Sequence, residues 1–324
     1  MNRRMVLIVF AFFSLVNGLV FAQESVEETN KALVMEFIEV VFNEGEAEAA
    51  GDYITESYIQ NTPGIESGLE ALQFSVNMLH TAFPDIRYSI THLAAQGDLV
   101  AARLIITGTQ TGDFMGIPAS GRRVAAAAIN FWRVEDGLLA EHWEVLDSLT
   151  FLQQLGAIPG GEEAQEGALG VETTPEAIEM PEVAGTPEDN AAVVERLFAE
   201  VVNEQNLDVA DELMAEDFFW HTGFAAPGRE GFKQFYPVIF EAFPDVERTP
   251  TLVVAEGDLV FVLNTITGTH EGGEQLYGIP PTGNPITYTS GDVFRLSDGL
   301  IVELWDVADY LTLFGQIGLI PAQS

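Results

Sequence analysis

Apolar residues at Val34, Phe37, Ile38, Val41 and Phe42 recur at the i, i+3, i+4, i+7, i+8 spacing of a helix with one buried face. A second stripe, Leu72, Val76, Leu79 and Phe83, keeps that period and stops where Pro84 disfavours another helical turn. Beyond it the period changes. Residues 88–93, 99–107, 123–133 and 138–145 are runs of β-branched, aromatic and apolar side chains bounded by Gly, Asp and Pro, which predicts strands. Glu135-Asp136-Gly137 suits a tight hairpin with Gly in the left-handed region. Helices come first and a mostly antiparallel sheet follows. Packing those helices on one face of a curved sheet gives an α+β arrangement with a conical cavity between the layers.

The whole pattern is then written a second time, from Asn190 to Pro321. Val194, Leu197, Phe198, Val201 and Val202 reproduce the first stripe, and Phe232, Tyr236, Ile239 and Phe243 the second. Phe83-Pro84-Asp85 falls on Phe243-Pro244-Asp245, Gly97-Asp98-Leu99-Val100 on Gly257-Asp258-Leu259-Val260, and Gly108-Thr109 on Gly268-Thr269. After a short insertion, Gly116-Ile117-Pro118 matches Gly278-Ile279-Pro280, Asp136-Gly137-Leu138 matches Asp298-Gly299-Leu300, and Trp143 with Asp147 matches Trp305 with Asp309. Solenoid units run about 20 to 50 residues, too short for this repeat, so the reading is two whole domains, residues 28–159 and 188–321.

These motifs, with Gln154-Leu155-Gly156 and its match Gln316-Ile317-Gly318, resemble the SnoaL-like polyketide cyclase (ester cyclase) family of the NTF2-like superfamily. The resemblance implies two tandem NTF2-like cone domains. It also implies one pocket Asp acting as general acid/base in an intramolecular aldol closure of a polyketide ester, with no metal or cofactor. NTF2-like cones serve as enzymes, binding modules and dimerisation domains alike, so the resemblance predicts fold more sharply than function.

The ends of the domains differ from their interiors. Arg3 and Arg4, an apolar run over residues 5–16 and Val20-Phe21-Ala22 before Gln23-Glu24 have the order of a secretory signal, residues 1–22, cut after about Ala22. The alternative is an uncleaved anchor. No other stretch is long and apolar enough to span a bilayer, so a protein outside the cytoplasm and off the membrane after cleavage is expected. Cysteine is absent, which leaves export without a disulfide framework and excludes thiolate catalysis. Residues 160–187 carry Glu162, Glu163, Glu166, Glu172, Glu176, Glu179 and Glu182 without a base, which predicts an acidic disordered linker. A formal charge of -37 has the wrong sign for nucleic acid or an anionic membrane surface. The five His are scattered between the copies, and neither copy pairs two at ligand spacing with a carboxylate, so no metal is expected. No Gly-rich loop with phosphate-binding context is present, so no cofactor is expected either.

Acid–base chemistry by carboxylates and imidazoles on a small apolar molecule remains. The last strand of each copy carries the candidates, Glu144 and Asp147 in the first, Asp306 and Asp309 in the second. With an unbroken register from the hairpin, Asn130 lies across from His142 and Ala128 across from Glu144, and likewise Asp292 across from Leu304 and Ser290 across from Asp306. One face of repeat two then gathers Tyr288, Ser290, Asp292 and Asp306, while Trp305 and Asp309 point away. Burial of such a carboxyl beside aromatics would raise its pKa toward the working pH. The family Asp maps to either the Glu144/Asp306 or the Asp147/Asp309 position. Asp306 with partner Asp292 is preferred, because Asp309 also fits as the cap of the helix that follows. His221, after Trp220, is a candidate for the cavity mouth, with Asn61 as its counterpart. Repeat one has Asn130 in place of Asp292 and Ala126 and Ala128 in place of Tyr288 and Ser290, which predicts the chemically poorer copy, with His142 as its remaining proton carrier. Three uses follow: an acid–base enzyme working in repeat two, a ligand-binding module, and an intramolecular pseudo-dimer compatible with either.

Overall fold

The computed structural model describes residues 25–158, 185–221, 225–274 and 278–320. The signal segment and nearly all of the acidic linker lie outside these residues. In repeat one the order is α1 (Val26–Phe37), β1 (Ile54–Gln60), α2 (Leu69–Ala82), β2 (Arg87–Gln96), β3 (Leu99–Thr109), β4 (Arg123–Glu135), β5 (Leu138–Leu146) and α3 (Ser148–Leu155). Repeat two follows with α4 (Pro187–Arg196), the single turn α5 (Ala210–Leu213), β6 (Met214–Trp220), α6 (Arg229–Ala242), β7 (Glu247–Glu256), β8 (Leu259–Thr269), β9 (Pro285–Ser297), β10 (Leu300–Ala308) and α7 (Tyr310–Gln316). Each copy forms a five-stranded mixed sheet, in the orders β1-β5-β4-β3-β2 and β6-β10-β9-β8-β7. The fold is α+β, built twice.

Local chemistry sets the helix ends. Ser25 caps α1 by accepting from the Glu28 amide, and Thr186 with Asp189 forms a reciprocal capping box on α4 behind Pro187. The first stripe does not stay α-helical. Both first helices continue into a π-helical turn, Ile38–Asn43 and Leu197–Asn203, which keeps Ile38, Val41, Phe198 and Val201 buried. Asn30 and Asn190 tether these helices to the sheets, each amide donating to the carbonyl of the β2–β3 or β7–β8 turn, Gly97 at 3.0 Å and Gly257 at 2.9 Å.

β1 and β6 escape the sequence pattern. Ile54–Gln60 and Met214–Trp220 show no clean alternation, yet each adds to the sheet edge in parallel with the last strand. The hairpins turn on two residues: Asp136 and Gly137 have φ of 51° and 77°, Asp298 and Gly299 52° and 76°, the pairing a type I′ turn demands. That two-residue turn moves the assumed register by one place, and a bulge near each hairpin moves it by a second. Asn130 lies opposite Glu144 rather than His142, Ala128 opposite Leu146, Asp292 opposite Asp306 rather than Leu304, and Ser290 opposite Ala308. The shift is two places, so every side chain keeps its expected face and changes its partner.

Each inner face packs against its own helices, and burying a Phe, Leu or Val there contributes about 1.5–3 kcal/mol. A further cluster draws on the outer faces of both sheets, with Ala101, Ile129, Phe131 and Val145 from repeat one against Phe261, Leu263, Val293, Trp305 and Val307 from repeat two. At its centre a Cβ on Gly291 would stand 2.8 Å from the Ile129 Cβ. Ile129 and Gly291 are equivalent positions of the two copies, so one repeat supplies a knob where the other supplies a hole. Two further equivalent residues exchange bonds across the seam: Gln96 Oε1 accepts from the Ala255 amide at 3.0 Å, and Glu256 Oε2 from the Ala95 amide at 2.7 Å.

Candidate functional site

In repeat one the inner face encloses a cavity of about 100 Å³. Its apolar wall includes Phe37, Phe42, Leu72 and Leu104, and its polar wall is made by Tyr58, Gln60, Tyr88, Asn130, His142 and Glu144. β1 delivers Gln60, β4 Asn130, and β5 both His142 and Glu144. The cross-strand pair Asn130–Glu144 exists because of the β4–β5 bulge. Burial pushes the Glu144 carboxyl up to about 7, and it is the whole cause, since among the described residues no cation pairs with it. Burial and the Glu144 charge together raise Tyr58 and Tyr88, keeping both phenols protonated.

His142 is buried, and loss of water pulls it down to about 3, so its imidazole is neutral. It stacks on Trp132 with ring centroids 5.0 Å apart. Nδ1 lies 2.8 Å from Gln60 Nε2, and Nε2 lies 2.8 Å from Asn130 Oδ1. The other amide atom of Asn130, Nδ2, is buried and has no partner among the described residues. Repeat one, read from sequence as the chemically poorer copy, thus keeps a carboxyl free of any cation among the described residues. It holds a raised carboxyl, and Asn130, whose Nδ2 has no partner among the described residues, also lines the cavity.

Repeat two collects the expected side chains but ties them together. Asp292 and Asp306 face each other across β9 and β10, and Arg248, which replaces Tyr88, is attracted by the charge of both. Arg248 Nη2 donates to Ser290 Oγ at 3.1 Å and lies 3.6 Å from Asp292 Oδ1. Asn264 Nδ2 donates to Asp292 Oδ2 at 2.5 Å, Ser290 Oγ lies 3.3 Å from the same oxygen, and Trp220 Nε1 donates to Asp306 Oδ1 at 2.5 Å. Burial raises Asp292 to about 6 against the pull of Arg248, with Asp306 pushing the same way as burial. Asp306 is raised by burial too, opposed by Trp220 and Arg248. Arg248 loses hydration, yet its carboxylate and tyrosine neighbours, among them Tyr236 and Tyr288, more than compensate and raise it. Two acids and one guanidinium make this a buried charge network.

The remaining candidates separate from these clusters. Asp147 and Asp309 are helix caps: Asp147 Oδ1 accepts from the Thr150 amide, and Asp309 accepts from both the amide and the hydroxyl of Thr312. That assigns the inner-face role to Glu144 and Asp306. His221 does not join Asp306 at a cavity mouth. It stacks on Trp305 on the outer face, ring centroids 4.3 Å apart, with Nε2 3.3 Å from Glu303 Oε1. The chain leaves β6 at Trp220, so the next residue falls on the opposite face. Arg248, Asn264, Gln60, Tyr58 and Tyr88 were not singled out from sequence. Setting the copies side by side would have flagged Arg248 opposite Tyr88 and Asn264 opposite Leu104, since a polar residue at a position apolar or aromatic in its twin needs a partner.

With this geometry in view, the family model for SnoaL-like polyketide cyclases matches residues 32–155 and again 192–317. The chain belongs to this family. Among SnoaL-like relatives, aklanonic acid methyl ester cyclase of Streptomyces sp. strain C5 is 28% identical over 38% of this chain and 80% of its own length. Nogalonic acid methyl ester cyclase of Streptomyces nogalater is 27% identical over 36% of this chain and 89% of its own. The solved structure of TsrD from Streptomyces laurentii is 31% identical, covering 42% of this chain and 100% of that one with a TM-score of 0.39. Each match spans the length of about one SnoaL-like repeat.

Proposed function

We propose that this chain is an exported, cofactor-independent acid–base enzyme of the cyclase type, with repeat one as its working copy and Glu144 as the acid–base group. The observation that carries the reading is the Glu144 carboxyl on the wall of a cavity, raised to about 7 with no cation committed to it. A carboxyl so poised is about half ionised at neutral pH, the condition under which it can both take and return a proton. Glu144 removes a proton from the carbon between two carbonyls. The resulting enolate carbon attacks a second carbonyl of the same molecule, its π bond opens, and the alkoxide takes the proton back from Glu144. Nothing is oxidised or reduced, and the net change is one new C–C bond and one hydroxyl. The named relatives act on methyl esters of polyketide acids, which supports a neutral ester substrate; the cavity, whose wall has no Lys or Arg, favours a neutral substrate as well.

Repeat two serves in this reading as a binding and structural copy, because its acids are engaged by Arg248, Asn264 and Trp220. The knob and hole at Ile129 and Gly291, with the exchanged bonds of Gln96 and Glu256, support an intramolecular pseudo-dimer. Export rests on the Arg3-Arg4, apolar and Ala22 order of the N-terminus. Turnover of methyl esters of linear diketo acids by the parent, Glu144→Gln and Asp306→Asn tests the assignment. Loss confined to Glu144→Gln supports it, and loss confined to Asp306→Asn transfers the chemistry to repeat two.

A further inference from the structure

We infer that Asn130 Nδ2 is the binding group for a substrate carbonyl oxygen in the repeat-one cavity, and that its direction is set by a polarised chain running from the Thr62 backbone amide through Gln60 and His142. The inference deepens the reading of this cavity as the reaction site and names what the ligand must present.

One atom in the chain of bonds has a fixed role. A backbone N–H can only donate, so the Gln60 atom 3.0 Å from the Thr62 nitrogen is its carbonyl oxygen. The amino group of Gln60 must then face His142, where it donates to Nδ1. A neutral imidazole that accepts at Nδ1 carries its proton on Nε2 and donates there. The partner at Nε2 is accordingly Asn130 Oδ1, which leaves Nδ2 pointing elsewhere. Asn130 is 1% exposed, and Nδ2 has no partner among the described residues. A buried amide donor left unmade costs free energy, a cost a ligand acceptor would remove. The atom belongs to a cavity-lining residue whose direct cross-strand neighbour is Glu144.

A donor beside a base suits one substrate feature: a carbonyl oxygen whose neighbouring carbon gives its proton to Glu144, so that negative charge grows on the oxygen that Nδ2 holds. The group is preorganised, because turning the amide round would set two donors, Nδ2–H and Nε2–H, against each other. Repeat two lacks the device. Leu304 replaces His142, Trp220 replaces Gln60, and Asp292 replaces Asn130 with an acceptor. The ligand class is thus a neutral carbonyl compound that places less than a six-membered ring inside the cavity: a void of about 100 Å³ is smaller than the roughly 150 Å³ that admits benzene.

The chain can be reversed by one change. In Gln60→Glu one carboxylate oxygen still accepts from Thr62 while the other faces Nδ1, which draws the imidazole proton to Nδ1 and turns the Asn130 amide so that its oxygen lines the cavity. Long-range proton–nitrogen correlation spectra of the 15N-labelled protein, with the His142 signal assigned through His142→Gln, should show the Nε2–H form in the parent and the Nδ1–H form in Gln60→Glu. Acetone, which is smaller than a six-membered ring, is the ligand probe. Its carbonyl stretch should move to lower frequency on binding the parent, with affinity falling roughly tenfold and the shift vanishing in Gln60→Glu and in Asn130→Asp. An Nδ1–H form in the parent, no saturable acetone binding by the parent, or an equal carbonyl shift in all three proteins would overturn the inference. None of these readouts involves turnover, so an inactive Glu144→Gln with the wrong His142 tautomer, or the reverse, separates failure of this inference from failure of the catalytic reading.

Discussion

The two inner faces descend from one plan and solve opposite problems. At one position Glu144 meets Asn130 across the strands, and at its equivalent Asp306 meets Asp292. A single carboxyl in an apolar cone can wait as a weak acid, and its cost is a raised pKa. Two carboxyls face to face cannot both ionise without a counter-charge, and Arg248 supplies it from the position where repeat one keeps Tyr88. The comparison teaches that acidic residues counted along a strand do not measure catalytic capacity. Repeat two is richer in candidate side chains, yet Arg248, Asn264 and Trp220 engage its acids. Repeat one has fewer, and two of them are left uncommitted.

Turnover separates the copies most strongly. Glu144→Gln should lower kcat/KM on a cyclisable diketo ester by about 10²–10⁴-fold, while Asp306→Asn stays within a few-fold of the parent. Comparable losses in both variants would erase the distinction. The pH dependence sharpens it further, since activity should rise with an apparent pKa near 7 as Glu144 ionises.

Next in size is the charge network. Arg248→Leu leaves Asp292 and Asp306 buried without a cation and should lower stability by about 3–5 kcal/mol in urea unfolding. Adding Asp292→Asn should restore part of that loss. A neutral effect of Arg248→Leu would mean that the network is solvated.

Glu144 should show the reverse sign. Its folded-state pKa of about 7 lies above its ordinary value of 4.5, so ionisation opposes folding as pH climbs through that window. Glu144→Gln should therefore match the parent near pH 4 and exceed it by up to about 3 kcal/mol at pH 8. Stability curves of the two proteins that run parallel from pH 4 to 8 would place the carboxyl in water. The seam gives the smallest expected change. Gly291→Ala forces a methyl against Ile129 and should cost about 1–3 kcal/mol, with Ile129→Val recovering some of it. An unchanged Tm for Gly291→Ala would indicate that the two sheets part easily.

Much of the architecture could be read before any coordinates. The stripes at Val34–Phe42 and Val194–Val202 specify helices because their spacing matches one helical face, and the Asp-Gly pairs specify the hairpins because both residues adopt positive φ. The faces of Asn130, Glu144, Asp292 and Asp306 also follow from strand alternation alone. Register did not follow, because the turn takes two residues where the Glu135-Asp136-Gly137 triplet suggested three, and a bulge, which has no composition of its own, adds a second place of shift. β1 and β6 were missed since an edge strand with an irregular burial pattern lacks the period-two signal.

The sequence by itself determined the duplication, the α+β class of each copy and the small set of residues able to move a proton, since period, turn chemistry and side-chain identity act over a few residues at a time. Only the tertiary structure decided which acid is free and which is paired, that Asp147 and Asp309 are caps, and that His221 lies with Trp305 on the outer face. Those outcomes depend on what stands across the sheet or on the neighbouring strand: Arg248 beside Asp292, Thr312 beside Asp309, Trp305 beside His221. Charge and burial are properties of a neighbourhood, and the chain assembles each neighbourhood from segments far apart in its own order.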